Sequence, residues 1–176
     1  NVELVMQNCT PVYVRMNFHF FTDDACTGNI QITNASQANA YKVAEQIIND
    51  ANGALVNNQP QWNGTTTEVQ CNPIRYVLSG VYVHCKSNAV GGYSTPSLHN
   101  TYGVNKTSEI NIYIANFPGG GTGIGYSTYA SVDWINTGNF NHEIGHTFTL
   151  GHSWVADGCG DTPEITHDWD SNCNGT

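Results

Sequence analysis

The residues able to do chemistry are concentrated in one short stretch, Asn141-His142-Glu143-Ile144-Gly145-His146-Thr147-Phe148-Thr149-Leu150-Gly151-His152. His142 and His146 are four residues apart, so a helix would place both imidazoles on one face, a turn from each other. Two neutral imidazoles in that relation can hold Zn²⁺ from one side. Glu143, next to the first of them, can reach an activated water without ligating the metal. His152 follows His146 by six residues. A straight helix would carry it past the metal, so the backbone must turn before His152 can serve as a third ligand. Three protein ligands leave the fourth position open, the arrangement of a catalytic zinc rather than a structural one. Glu143 would then be the general base and proton carrier in peptide-bond hydrolysis.

In order, His142, Glu143, His146 and His152 resemble the metzincin signature HExxHxxGxxH. Thr149 stands where that family has the glycine that lets the helix end and the chain swing back. A β-branched residue disfavours positive φ. The expected turn is therefore displaced to Gly151, as the left-handed residue after the helix. The cysteine loop that follows contains Asp161-Thr162-Pro163 and is similar to that of the pappalysin or cytophagalysin branch. The resemblance is specific from His142 to Pro163, although the expected order of earlier elements also agrees with it.

The resemblance implies a secreted zinc endopeptidase acting on protein or peptide substrates. It implies a zincin/metzincin-like single domain over residues 1–176, of the α/β (α+β) class, with a mixed twisted sheet, a backing helix and an active-site helix. It also implies structural Ca²⁺, with Asp161 and Thr162 among its contacts. Independently, oxygen ligands in an acidic, glycine-containing loop suit that ion. Metzincins carry a Met-turn below the zinc, and Met6 and Met16 lie too early to supply it. That subdomain is expected after Thr176, or else the catalytic domain lacks it.

Two other readings follow from the same departures. A downstream carboxylate, Glu164 or Asp161, can replace His152 as the third ligand. Alternatively, the domain is catalytically impaired and serves as an extracellular binding or assembly module. Chelator-sensitive cleavage of a peptide library separates an enzyme from such a module.

Composition agrees with export. Charged residues make up only 11% of the 176, and the net charge is −9. The five basic residues, Arg15, Lys42, Arg75, Lys86 and Lys106, are scattered, which excludes a patch for nucleic acid or an anionic membrane surface. Six cysteines without a CxxC pair point to disulfides in an oxidising compartment. Local spacing favours Cys159–Cys173, then Cys71–Cys85 and Cys9–Cys26. N-x-S/T sequons at Asn8, Asn34, Asn63, Asn105 and Asn174 suit a glycoprotein. There is no signal peptide and no apolar run of transmembrane length, so the chain reads as a mature or trimmed product. Oligomeric state is not legible.

These residues need a scaffold. Residues 10–21 alternate as a strand, with Val12, Val14, Met16, Phe18 and Phe20 on one face. Tyr13, Arg15, Asn17 and His19 fall on the other, polar face. From about Ser36 to Asn57, Ala38, Tyr41, Ala44, Ile48, Ala51 and Leu55 recur at helical spacing, with Asn34 or Ser36 as cap. Residues 57–73 form a long loop. Ile74–Cys85 reads as a second strand with a bulge or bend at Ser79-Gly80, and His84 within it reads as structural. Pro96–Tyr102 can make a helical turn, and Ile110–Ala115 a short buried strand. Pro118 to Tyr126 is too poor in basic residues for a phosphate loop. It fits instead a flexible strand or rim beside the cleft, where an extended peptide could pair. Asp133 and Trp134 are expected to fix the start of the metal helix.

Overall fold

The structure, a computed structural model, describes residues 9–26, 37–57, 71–86, 95–115, 121–124, 127–131 and 137–150. Eight elements follow in order: β1 (Val12–Thr22), α1 (Gln37–Val56), β2 (Ile74–Cys85), α2 (Thr95–Tyr102), β3 (Ile110–Ala115), β4 (Gly121–Ile124), β5 (Ser127–Ser131) and α3 (Thr137–Thr147). The strands form one sheet in the order β2-β1-β3-β5-β4. β2, β1, β3 and β5 run parallel, and β4 pairs antiparallel with β5 at the edge. This is a mixed α/β domain in which α1 and α2 act as crossovers between parallel strands.

β1 lies inside the sheet, and from Met16 onward both of its faces are buried. Met16, Phe18 and Phe20 join Ile110, Ile112 and Ile114 of β3 under α1 and α3. From α1, Ala40, Ala44, Ile48 and Ala51 face this core, and the alanines let the helix backbone approach the strands closely. Tyr41, expected on that stripe, is instead exposed, because the buried stripe is centred one residue earlier, on Ala40. Val12 is exposed as well, since the packed layer begins at Val14.

The opposite face is not the open polar surface that alternation alone suggested. α2 covers it with Leu98, which packs with Phe21 and Tyr113, so Asn17 and His19 are buried too. Glu109 supports this layer: it accepts a hydrogen bond from Asn17 Nδ2 at 2.7 Å and pairs with Arg15 at 3.1 Å.

β2 contains the bulge anticipated at Ser79-Gly80. Met16 pairs with Leu78 and Asn17 with Gly80, leaving Ser79 as the extra residue. Gly80 is required there, because a Cβ would lie 2.7 Å from the Tyr82 hydroxyl and 2.8 Å from Asn17 Oδ1. On the free edge of β2, the Asn52 side chain bonds both backbone groups of Tyr76, at 2.7 and 2.9 Å.

The disulfides correct the local pairings. Cys9 bonds Cys71 and Cys26 bonds Cys85, instead of Cys9–Cys26 and Cys71–Cys85. Cys9 and Cys26 flank opposite ends of a strand that spans roughly 35 Å, whereas a disulfide needs Cα atoms within about 7 Å. Parallel strands bring their starts together and their ends together, so each bridge ties a matching end of β1 and β2. The half-cystines are 62 and 59 residues apart in sequence. In the chain-entropy account a loop of that size is worth about 4 kcal/mol, with less for the second bridge because the loops overlap. Cys159 and Cys173 lie outside the described residues. Among the described residues no helix is long and apolar enough to cross a membrane.

Candidate metal centre

α3 carries the chemistry on one side and its anchor on the other. Phe140, Glu143, Ile144 and Thr147 are buried, a three-and-four spacing that marks the packed side of a helix. Phe140 stacks on Phe18 at 6.1 Å between ring centroids and meets Tyr76 edge-on at 5.9 Å. Asn141 Nδ2 donates to the Ala51 carbonyl at 3.3 Å, tying α3 to α1. His142 and His146 come off the opposite, more exposed side of α3, a helix that runs close to β4 at the sheet edge.

The imidazoles of His142 and His146 meet with their Nε2 atoms 3.1 Å apart. Their planes cross at 84°. One ring nitrogen of each and a Glu143 carboxylate oxygen all lie within 4.8 Å of one another. Two nitrogens each about 2.05 Å from a tetrahedral ion would be about 3.3 Å apart, so this pair is already near metal-binding geometry. His146 Nδ1 lies 2.8 Å from the Leu150 carbonyl oxygen. A carbonyl only accepts, so Nδ1 carries the proton and the neutral ring keeps its lone pair on Nε2. Burial, and then the neighbouring His146, push the His142 pKa below its ordinary value, which keeps that ring neutral and able to ligate at pH 7. The described residues thus form a His-Glu-His group spaced to hold a metal ion.

The end of α3 departs from expectation. Thr149 itself is left-handed, with φ 65°, two residues before the position expected to turn. Leu150 N–H donates to the Gly145 carbonyl at 3.1 Å and Thr149 N–H to the His146 carbonyl at 3.0 Å. This pair of bonds defines a Schellman turn. The turn is not displaced: its bonds hold a β-branched residue in a conformation that local sterics disfavour.

A second histidine pair lies on the other face of the sheet. His19 Nδ1 is 3.0 Å from His84 Nε2. The far side of His19 decides its protonation. Asn111 Oδ1 accepts from Val104 N–H, and Asn111 Nδ2 donates to the carbonyls of Val104 and Glu109. The amide orientation is therefore fixed, and the oxygen faces His19 Nε2 at 3.0 Å. His19 must carry its proton on Nε2 and accept on Nδ1 from His84 Nε2–H. Nearby, His99 donates to the Lys106 carbonyl and accepts from the Tyr113 hydroxyl, each at 3.2 Å. Desolvation lowers the pKa of both His19 and His84 to about 4. His84 is structural, as expected, and His19 shares that role.

No protein-family model matches the chain, and no curated protein is significantly similar to it.

Of the residues expected to act, the structure brings together His142, Glu143 and His146. His152, Asp161, Thr162, Glu164, Gly151, Asp133 and Trp134 lie outside the described residues. So do the sequons at Asn8, Asn34, Asn63 and Asn174. Asn105 is exposed in the turn after α2. Two participants escaped the sequence. The Leu150 carbonyl had no side-chain signal. The burial of Glu143 was readable from the spacing of Phe140, Ile144 and Thr147.

Proposed function

We propose that the chain is a secreted zinc-dependent endopeptidase of metzincin type, similar to the pappalysin or cytophagalysin branch. The observation that carries the reading is the convergence of the two Nε2 atoms at 3.1 Å beside the buried Glu143. The resemblance of the motif adds zinc as the ion and His152 as its third ligand. Zinc held there supplies an activated water and an electrophile for the scissile carbonyl.

The remaining work falls to the chain. Glu143 takes the proton of the attacking water on a carboxylate oxygen and delivers it to the departing amide nitrogen. Burial limits competition from bulk water for that carboxylate. His146, anchored on the Leu150 carbonyl, keeps its lone pair directed at the shared point. β4 closes the sheet beside α3, and a substrate in extended form would pair with its outer edge through backbone hydrogen bonds. Paired cysteines in four described positions suit an oxidising compartment.

The decisive experiment is Glu143→Gln. It should retain bound zinc and lose at least a thousandfold in peptide cleavage, roughly the upper range of general-base catalysis. A photo-crosslinking peptide held by this inactive variant should label residues 121–124. Full cleavage by the variant would remove Glu143 from the mechanism. Bound zinc without cleavage in the unmodified chain would favour the binding or assembly module.

A further inference from the structure

We infer that the main-chain carbonyl of Leu150 is a positioning group for His146, and that Thr149 places it by adopting the left-handed conformation. In its bearing on metal affinity this rests on the metal-binding reading above; in its bearing on the His146 tautomer it stands alone.

The geometry runs through three consecutive features. His146 is the last histidine of α3, and its Nδ1 points along the helix toward the carboxyl end. The carbonyl it meets belongs to a residue four positions later, beyond the end of the helix. In a continuing helix the Leu150 carbonyl would point onward along the axis, away from His146. It turns back because Thr149 has φ 65° and the chain reverses there. The Schellman bonds from Leu150 N–H to Gly145 and from Thr149 N–H to His146 hold the reversal. A Cβ at Gly145 would meet the Leu150 side chain at 3.7 Å, an ordinary contact, so the reversal does not depend on a glycine there.

The chemical consequence concerns which nitrogen of His146 bears hydrogen. A neutral imidazole in water prefers its hydrogen on Nε2, which would block the nitrogen that faces His142. The Leu150 carbonyl reverses that preference by demanding a hydrogen on Nδ1. Outer partners of this kind typically contribute 10–100-fold to metal affinity. Thr149 is thus a positioning residue acting through backbone shape; its side chain is exposed and is not needed for the contact.

The test uses the full chain labelled with ¹⁵N-histidine and stripped of metal. Long-range ¹H–¹⁵N spectra should show His146 in the Nδ1–H form in the unmodified protein. T149G and T149N, which accept positive φ readily, should keep that form and bind zinc within about threefold of the unmodified chain. T149P, whose ring forbids positive φ, should move His146 toward the Nε2–H form and weaken zinc binding by 10–100-fold. Far-ultraviolet circular dichroism of T149P checks that the fold persists. If it does not, the tautomer in the unmodified, T149G and T149N chains still decides. An Nε2–H form of His146 in the unmodified chain, or in T149G and T149N, overturns the inference. So does a folded T149P with unchanged tautomer and affinity. A chain with the Nδ1–H form that binds no zinc would uphold the positioning and sink the metal reading instead.

Discussion

Two histidine pairs lie on opposite sides of one sheet, with ring nitrogens 3.1 Å apart in α3 and 3.0 Å apart between β1 and β2. By separation alone they are equivalent. Their outer contacts are alike too, and their surroundings are what differ. On α3, a carbonyl takes the proton of His146 at Nδ1, and the inward Nε2 turns its lone pair toward His142. On the sheet, Asn111 Oδ1 takes the proton of His19 at Nε2, and the inward Nδ1 likewise turns its lone pair toward His84. The α3 pair is partly exposed and has a carboxylate beside it, whereas His19 is fully buried among Tyr82, His84 and Tyr113. Proximity of imidazoles does not make a metal site; access for the ion and a carboxylate beside the pair do.

The largest expected difference is in metal binding. His142→Ala should weaken zinc binding by more than a hundredfold, beyond the effect of losing an outer partner. His84→Ala should leave it within about twofold. Competition with a chromophoric chelator measures both, and a comparable loss in the two variants would erase the distinction between the pairs.

The next difference is in acid stability. His19 titrates near 4 in the folded chain, against 6.5 for an unperturbed histidine. The folded pKa is the lower one, so between those values the unfolded chain binds more protons. Stability is therefore lost as pH falls from 6.5 to 4, and this contribution is fully spent below 4. A shift of that size corresponds to roughly 3 kcal/mol for His19, and His84 acts in the same direction. Urea unfolding of the unmodified chain at pH 7 and pH 4.5 should show this loss. His19→Gln, which does not titrate there, should show a visibly shallower fall. Equal slopes would mean that His19 is not held neutral by burial.

Much of the scaffold was legible because its signals are local. Alternation placed β1, the Ser79-Gly80 dipeptide marked the bulge, and the apolar run 110–115 gave β3 its residues. The His-Glu-His group followed from helical spacing. What escaped the sequence depends on what meets what. Alternation put His19 on the second face of β1 but could not say that α2 would cover that face. Cysteine spacing favoured neighbours, while the parallel topology joined Cys9 to Cys71 and Cys26 to Cys85. Sterics argued against a left-handed threonine, yet the hydrogen bonds closing α3 prevail over that preference at Thr149. The sequence therefore named the reacting groups more readily than the backbone that aims them.

The bulge in β2 gives that strand something like a reading frame. Upstream of it Ile74, Tyr76 and Leu78 face the helices, and downstream Val81 and Val83 do. The parity switches at one surplus residue. Excising Ser79 would join Leu78 to Gly80 and make the pleat regular, with Val81 to Cys85 keeping their sides and their neighbours. Its cost is the exposed Arg15–Ser79 hydrogen bond, about 1 kcal/mol or less. Lengthening the strand by one residue after Val81 would instead turn His84 toward the helices and carry Cys85 away from Cys26. Melting temperatures of the two indels should therefore differ sharply: near the unmodified value for the excision, far below it for the insertion. One position in this strand would tolerate a loss that its neighbours would not.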